Sequence, residues 1–303
     1  MDSVLVTTKL SKKYPNANVY ALKNLTLNVG PGEVYGFLGP NGAGKSTAIR
    51  TLMNFIQPTS GSATILGRDI IKDSVKIKQE IGYLAGDGAV YNKMTGRQYL
   101  EYLGELQPPS SKTYQQELTK RLQATLNKPL GSLSRGNRQK ISIIQAFMHQ
   151  PKLLILDEPS SGLDPLMQEV FYELIAESKA RGAAVFMSSH ILSEVQKICD
   201  RVGIIRNGEL VTERNIAEMA EEAAQTFDLT FKDNLPVSKL KNLACVQKLV
   251  ENSPHSVTLQ VRGELAPLFS ILAQYTVTNI DTRTLDLEEA FMHYYQPRED
   301  RHV

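Results

Sequence analysis

The chain has 303 residues, 42% apolar and 22% charged, enough for about two domains with well-filled cores. A formal net charge of +2 with no basic block removes any electrostatic case for nucleic-acid binding, and none is expected. Two distant cysteines, an N-terminus without a basic flank and no apolar run of about 18 residues argue against a metal-thiolate site, a disulfide framework, a signal peptide or a membrane span.

In chain order, residues 4–7 and 25–29 read as strands around a loop at 14–18, and Pro31-Gly32 makes a turn. Residues 34–38 form a buried strand, and a helix starts near 46–53. Between them the run Gly39-Pro40-Asn41-Gly42-Ala43-Gly44-Lys45-Ser46, followed by Thr47, fits G-x-x-x-x-G-K-[ST] at every fixed position. Its glycines let backbone N–H groups wrap a polyphosphate, and the helix N-terminus favours negative charge. Lys45 can reach the β- and γ-phosphates, and the Ser46 hydroxyl can bind Mg²⁺. The run therefore predicts binding of ATP or GTP.

Residues 62–67 and 81–84 read as further short strands. From Thr95 to about Leu126, Tyr99, Leu100, Leu103 and Leu106 recur at helical spacing, and Pro108-Pro109 separates that helix from the next. Strands at 153–156, 183–187 and 202–205 then alternate with helices, which implies a mostly parallel sheet covered by helices. Cys199 falls on the apolar face of the helical run 191–199 and reads as a core thiol. After about residue 215 a small α+β unit follows, with strands at 226–231, 245–250 and 256–261 and helices at 267–275 and 287–295.

The strand at 153–156 ends in Asp157-Glu158. Asp157 is placed to hold Mg²⁺ opposite Ser46, and Glu158 can orient or deprotonate an attacking water. His190 follows the strand ending at Met187 and is expected to open a helix. A helix cap is the plain alternative for it. Its strand ends on the same sheet edge as the P-loop strand, where ligands bind in open α/β sheets, and this predicts a contact to phosphate.

With these runs in order, the chain resembles the nucleotide-binding subunit of an ATP-binding-cassette (ABC) transporter, from about residue 4 to 212. The resemblance rests on the loop aromatic Tyr14, the Walker A run 39–46 and the signature Leu133-Ser134-Arg135-Gly136-Asn137. It continues through Asp157-Glu158, the D-loop Ser161-Gly162-Leu163-Asp164 and the switch histidine His190. It implies a P-loop cassette over residues 1–215, a mixed α/β sheet with a helical insert at about 92–145, and a small α+β domain over 216–303. It further implies that two cassettes, as a homodimer, clamp two ATP molecules head to tail. Ser134, Gly136 and Asn137 of one cassette would meet the nucleotide held by the other, and Asp164 would couple the two sites. Tyr14 would stack on adenine, with Tyr20 as its rival. Lys45, Glu158 and His190 would be the catalytic groups, and ATP and Mg²⁺ the cofactors. Closing and opening would drive an integral-membrane permease at the cytoplasmic face of the cell membrane.

Three features depart from the family pattern. Arg135 stands where small residues are common, and it is either solvated or an added cation. Asn137 stands where glutamine is common. The loop Ala85-Gly86-Asp87-Gly88 lacks the usual glutamine, which leaves Asp87 as a metal ligand, a permease-facing group or a plain turn residue. The run 284–291 resembles the C-terminal ending of type-2 exporter subunits. A non-transport ABC ATPase is the alternative. The repair type would need a long coiled coil inside the cassette, and the ribosome-associated type two cassettes in one chain. A cassette degraded to a structural switch is at odds with intact Lys45, Asp157, Glu158 and His190.

Overall fold

The computed structural model describes residues 3–86, 91–108, 111–222, 225–233 and 236–284. Strands β1 (Leu5–Lys12) and β2 (Leu22–Val29) precede β3 (Val34–Leu38) and helix α1 (Lys45–Leu52). Next come β4 (Ser60–Ile65), β5 (Arg68–Asp69), α2 (Ser74–Glu80) and β6 (Ile81–Leu84). Helices α3 (Gly96–Glu105), α4 (Lys112–Arg121) and α5 (Arg135–Phe147) are inserted before β7 (Leu153–Asp157) and α6 (Pro165–Ala180). β8 (Ala184–Ser189), α7 (Leu192–Ile198), β9 (Arg201–Arg206) and β10 (Glu209–Asn215) follow. The chain continues with α8 (Ile216–Glu222), β11 (Gln225–Phe231), α9 (Val237–Lys241), β12 (Val246–Ser253), β13 (Ser256–Val261), α10 (Ala266–Leu272) and β14 (Val277–Thr284). It divides into two units between Arg214 and Asn215.

An unbroken apolar run marks a strand buried on both faces, and β3 and β7, the latter apolar up to its terminal Asp157, are buried at all five of their positions. With β8 they form the middle of a six-stranded sheet of order β10-β9-β3-β8-β7-β6, in which β9, β3, β8, β7 and β6 run parallel. Phe186 of β8 packs between Tyr35 and Phe37 of β3, with ring centroids 5.7 and 5.4 Å away. Each such buried ring contributes about 1.5–3 kcal/mol. A second sheet, β2-β1-β4-β5, is antiparallel. Leu5, Leu25 and Ile65 from it share one core with Phe37, Ile49 and Ile155. Cys199 is buried beside β3, where a Cβ on Gly36 would lie 2.9 Å from its sulfur, and burial pushes its thiol well up. It is a core thiol.

The serine pair after Met187 extends the strand beyond its apolar stretch. β8 runs two residues further, pairing Ser188 with Asp157 and Ser189 with Leu38. His190 therefore sits on a bend after the strand and does not open a helix. α7 begins only at Leu192.

In the second unit β11-α9-β12-β13-α10-β14 builds an antiparallel sheet of order β12-β13-β11-β14, the split βαβ arrangement of ferredoxin-like folds. Phe227, Leu229, Val257, Leu259, Leu240 and Leu268 form its own core. β14, Val-Thr-Asn-Ile-Asp-Thr-Arg-Thr, is rich in β-branched residues but lacks a regular apolar alternation, and it pairs with β11. The expected helix at 287–295 and the run 285–291 lie outside the described residues.

Candidate functional site

The parallel sheet delivers the C-terminal ends of β3, β7, β8 and β6 to one edge, where a cavity of about 450 Å³ opens. Its lining includes Pro40, Asn41, Gly42, Gly44, Lys45, Ser46 and Thr47 of the glycine loop, together with Gly86, Arg135, Asp157, Glu158, Ser161 and His190. Gly44 caps α1 at φ 111°, and a Cβ there would lie 2.5 Å from the Ala21 carbonyl oxygen, so only glycine fits. Gly39 contributes its carbonyl to Lys45, while Ala43 is buried beneath the loop and accepts from the Gly208 N–H at 2.9 Å.

Lys45 is almost fully buried. Its ammonium donates to the Gly39 carbonyl at 2.6 Å and the Pro40 carbonyl at 3.3 Å, and pairs with Glu158 Oε1 at 3.2 Å. Glu158 Oε2 lies 2.6 Å from His190 Nδ1. An ionised carboxylate can only accept, so Nδ1 carries the proton and Nε2 is the nitrogen left for another partner. Glu158 thus bridges a lysine and a histidine, from a backbone at φ 50° that residues with a side chain seldom adopt. Asp157 Oδ1 accepts from Ser188 at 2.6 Å and from Ser46 at 3.3 Å. A Cβ on Gly86 would lie 3.5 Å from Asp157 Oδ2, so the β6 loop leaves room beside that oxygen. Burial first, then the Asp157 charge, pushes the Tyr83 hydroxyl up to about 12, which keeps it neutral. Glu194 is buried with Oε2 accepting from Ser189 at 2.6 Å, and burial holds its carboxyl above the usual range.

A second depression, of about 730 Å³, shares Ala21 and Gly42 with the first and holds both Tyr14 and Tyr20. Both rings are over a third exposed, each with a lysine over one face: Lys12 at 5.5 Å from Tyr14 and Lys13 at 5.7 Å from Tyr20. The geometry treats the two tyrosines alike.

The signature run starts α5. The Ser134 side chain caps the helix by accepting from the Asn137 N–H at 3.2 Å, which leaves its own hydroxyl hydrogen to donate elsewhere. Gly136 packs on the D-loop of its own chain, where a Cβ would meet the Gly162 carbonyl oxygen at 2.7 Å. Arg135 occupies the first position of α5, where the helix dipole disfavours a cation, and is tied to Ser161 Oγ at 2.8 Å. Asn137, expected among the nucleotide contacts, has both ends of its amide committed to the Thr125 backbone, at 2.9 and 3.1 Å. Asp164 caps α6 through the Met167 N–H at 3.0 Å, with Pro165 at the first helical position. Asp87 lies outside the described residues. Ser188 opens the switch-histidine run Ser188-Ser189-His190, but that run gives it no role of its own. The available signal is a small polar residue in β8 at the register position of Asp157.

A sequence profile of the family described as ABC transporter matches residues 22–161. The ABC transporter ATP-binding protein NatA of Bacillus subtilis (strain 168) is 34% identical over 236 residues, 75% of this chain and 96% of that protein. The bacitracin transport ATP-binding protein BcrA of Bacillus licheniformis is 38% identical over 216 residues, 70% of each chain. The solved structure of an ATP binding subunit of an ABC transporter is 27% identical with a TM-score of 0.67, covering 73% of this chain and 93% of that one.

Proposed function

The chain belongs to the ABC transporter family as an ATP-binding, ATP-hydrolysing subunit, and from that premise we propose that it is the motor of an exporter, one of two identical cassettes that close on ATP and drive a separate integral-membrane permease. The likeness to a bacitracin transport subunit supports the transport assignment. No helix among the described residues is long and apolar enough to cross a membrane, so contact with the bilayer would come through the permease, at its cytoplasmic face. The permease selects the cargo.

The observation that carries the mechanism is the Lys45–Glu158–His190 chain of contacts across one cavity. The N–H groups of the glycine loop and the N-terminus of α1 would cradle the β- and γ-phosphates, which would draw Lys45 away from Gly39 and Pro40. Glu158 would take the proton of a water attacking the γ-phosphorus as the bond to ADP breaks. His190, fixed by its Nδ1–H on Glu158, would turn Nε2 toward the water as an acceptor, and would donate to the phosphate as the doubly protonated ring. Tyr14 or Tyr20 would stack on adenine.

Ser46 Oγ and the Asp157 carboxylate fit Mg²⁺. They are hard oxygen donors, and among the described residues no cluster of three or more His, Cys, Asp or Glu could hold a metal alone, which suits an ion that keeps its waters and leans on substrate phosphates. When bound, that ion would neutralise phosphate charge. Ser134 and Gly136 would present the start of α5 to the γ-phosphate of the partner cassette, with Asn137 holding that helix start in place and Asp164 linking the two sites.

The Glu158→Gln variant tests the reading, because it keeps the shape of the site and removes the base. With Mg-ATP it should accumulate as an ATP-dependent dimer by light scattering. A variant that stays monomeric at saturating ATP, both alone and beside the permease, would overturn the two-cassette arrangement.

A further inference from the structure

Ser188 would touch no substrate atom, yet both acids at the end of β7 converge on its side chain. It is fully buried, the Cα partner of Asp157 and the last β8 residue to pair with β7. Its hydroxyl donates to Asp157 Oδ1 at 2.6 Å and accepts the Glu158 N–H at 3.1 Å. At Glu158 the chain leaves the sheet, so that N–H has no ladder carbonyl, and the hydroxyl takes its place.

The two bonds have different consequences. Asp157 Oδ1 already receives Ser46, so the Ser188 bond fixes the carboxylate plane and leaves Oδ2 facing Gly86. The Glu158 bond anchors a residue at φ 50°, a conformation that persists only where its surroundings enforce it. From that backbone the Glu158 carboxylate reaches Lys45 at 3.2 Å and His190 at 2.6 Å. Neighbouring Ser189 points to the opposite face of the strand and serves Glu194 instead. The two serines are not interchangeable.

We infer that Ser188 is a positioning residue for hydrolysis: one buried hydroxyl orients the Asp157 carboxylate and holds Glu158 in the left-handed conformation that delivers its carboxylate to Lys45 and His190. The inference rests on the ATPase reading above.

The test compares the full chain with Ser188→Ala in steady-state hydrolysis and in calorimetric titration with ATP lacking Mg²⁺. The kcat should fall about tenfold, the scale of one lost buried hydrogen bond. Metal-free ATP affinity should be unchanged, because without Mg²⁺ it depends neither on the Asp157 carboxylate nor on where Glu158 points, so the loss should fall on kcat. In the Glu158→Gln background, single-turnover rates should show a clearly smaller further loss from Ser188→Ala, since the Glu158 carboxylate is gone and only Asp157 remains to be oriented. Should Ser188→Ala fail to fold by its thermal transition, Ser188→Cys fills the same space without a strong acceptor and carries the same expectation. A kcat within twofold of the unaltered chain, a loss of equal size in both backgrounds, or a fall in metal-free ATP affinity matching the kcat loss would each overturn the assignment. An unaltered chain that neither binds nor hydrolyses ATP would overturn the ATPase reading instead.

Discussion

In the first unit β9, β3, β8, β7 and β6 run parallel, so their C-terminal ends emerge together, whereas in the second unit β12, β13, β11 and β14 are antiparallel and neighbouring ends point opposite ways. The parallel sheet therefore collects the glycine loop after β3, the acids after β7, His190 after β8 and Gly86 after β6 on one edge. The antiparallel sheet has no such edge. Its polar side chains bond across the sheet surface, as Asn252 does to Thr258 at 2.8 Å and Thr258 to Asp228. Among the described residues, strand direction thus separates a sheet that gathers distant residues at one edge from one that does not.

The largest effect expected on ATP binding comes from that edge. Lys45→Ala should weaken ATP binding at least tenfold, about 1.4 kcal/mol, by removing a charge-assisted contact, and unchanged affinity by titration calorimetry would break the comparison where it is sharpest. A smaller effect belongs to the neighbouring depression. Of Tyr14→Ala and Tyr20→Ala, the one that removes the stacking ring should lower affinity about fivefold, near 1 kcal/mol, and the other less than twofold. If neither variant changes affinity, adenine does not lie between those rings. The smallest effect on ATP should come from the second unit. Leu259→Ala, at a fully buried position, should destabilise that unit by about 2–5 kcal/mol in denaturant unfolding and leave ATP affinity unchanged. A parallel loss of affinity would mean that the second unit takes part in the site.

How much of this was legible follows from how local each physical demand is. Gly44 must adopt φ 111°, Lys45 must follow it, and both demands fall within one short run, so the loop is readable residue by residue. The strand ending in Asp157-Glu158 is readable because burial on both faces leaves an unbroken apolar stretch. What escapes is set by partners far along the chain. Gly136 is required by the Gly162 carbonyl, Asn137 is occupied by Thr125, and Ser188 acquires meaning only when β8 lies against Asp157. The same holds for the end of β8. Ser188 and Ser189 look like the close of an apolar strand, yet their hydroxyls are satisfied inside, so the strand continues and His190 is carried past it on a bend. β14 has β-branched residues but no clean apolar alternation, so its place in the sheet is defined by its pairing with β11. The choice between Tyr14 and Tyr20 stays open in the sequence because both lie in one loop region, and the structure places both at one depression.

The measurement that bears most directly on the central claim, that Glu158 held between Lys45 and His190 performs the hydrolysis, is the single-turnover ATP hydrolysis rate of Glu158→Gln alongside its ATP affinity. The account predicts a rate lower by on the order of 10²-fold or more, with affinity within about twofold of the unaltered chain. A rate within a few-fold of the unaltered chain, with ATP still bound, would contradict it.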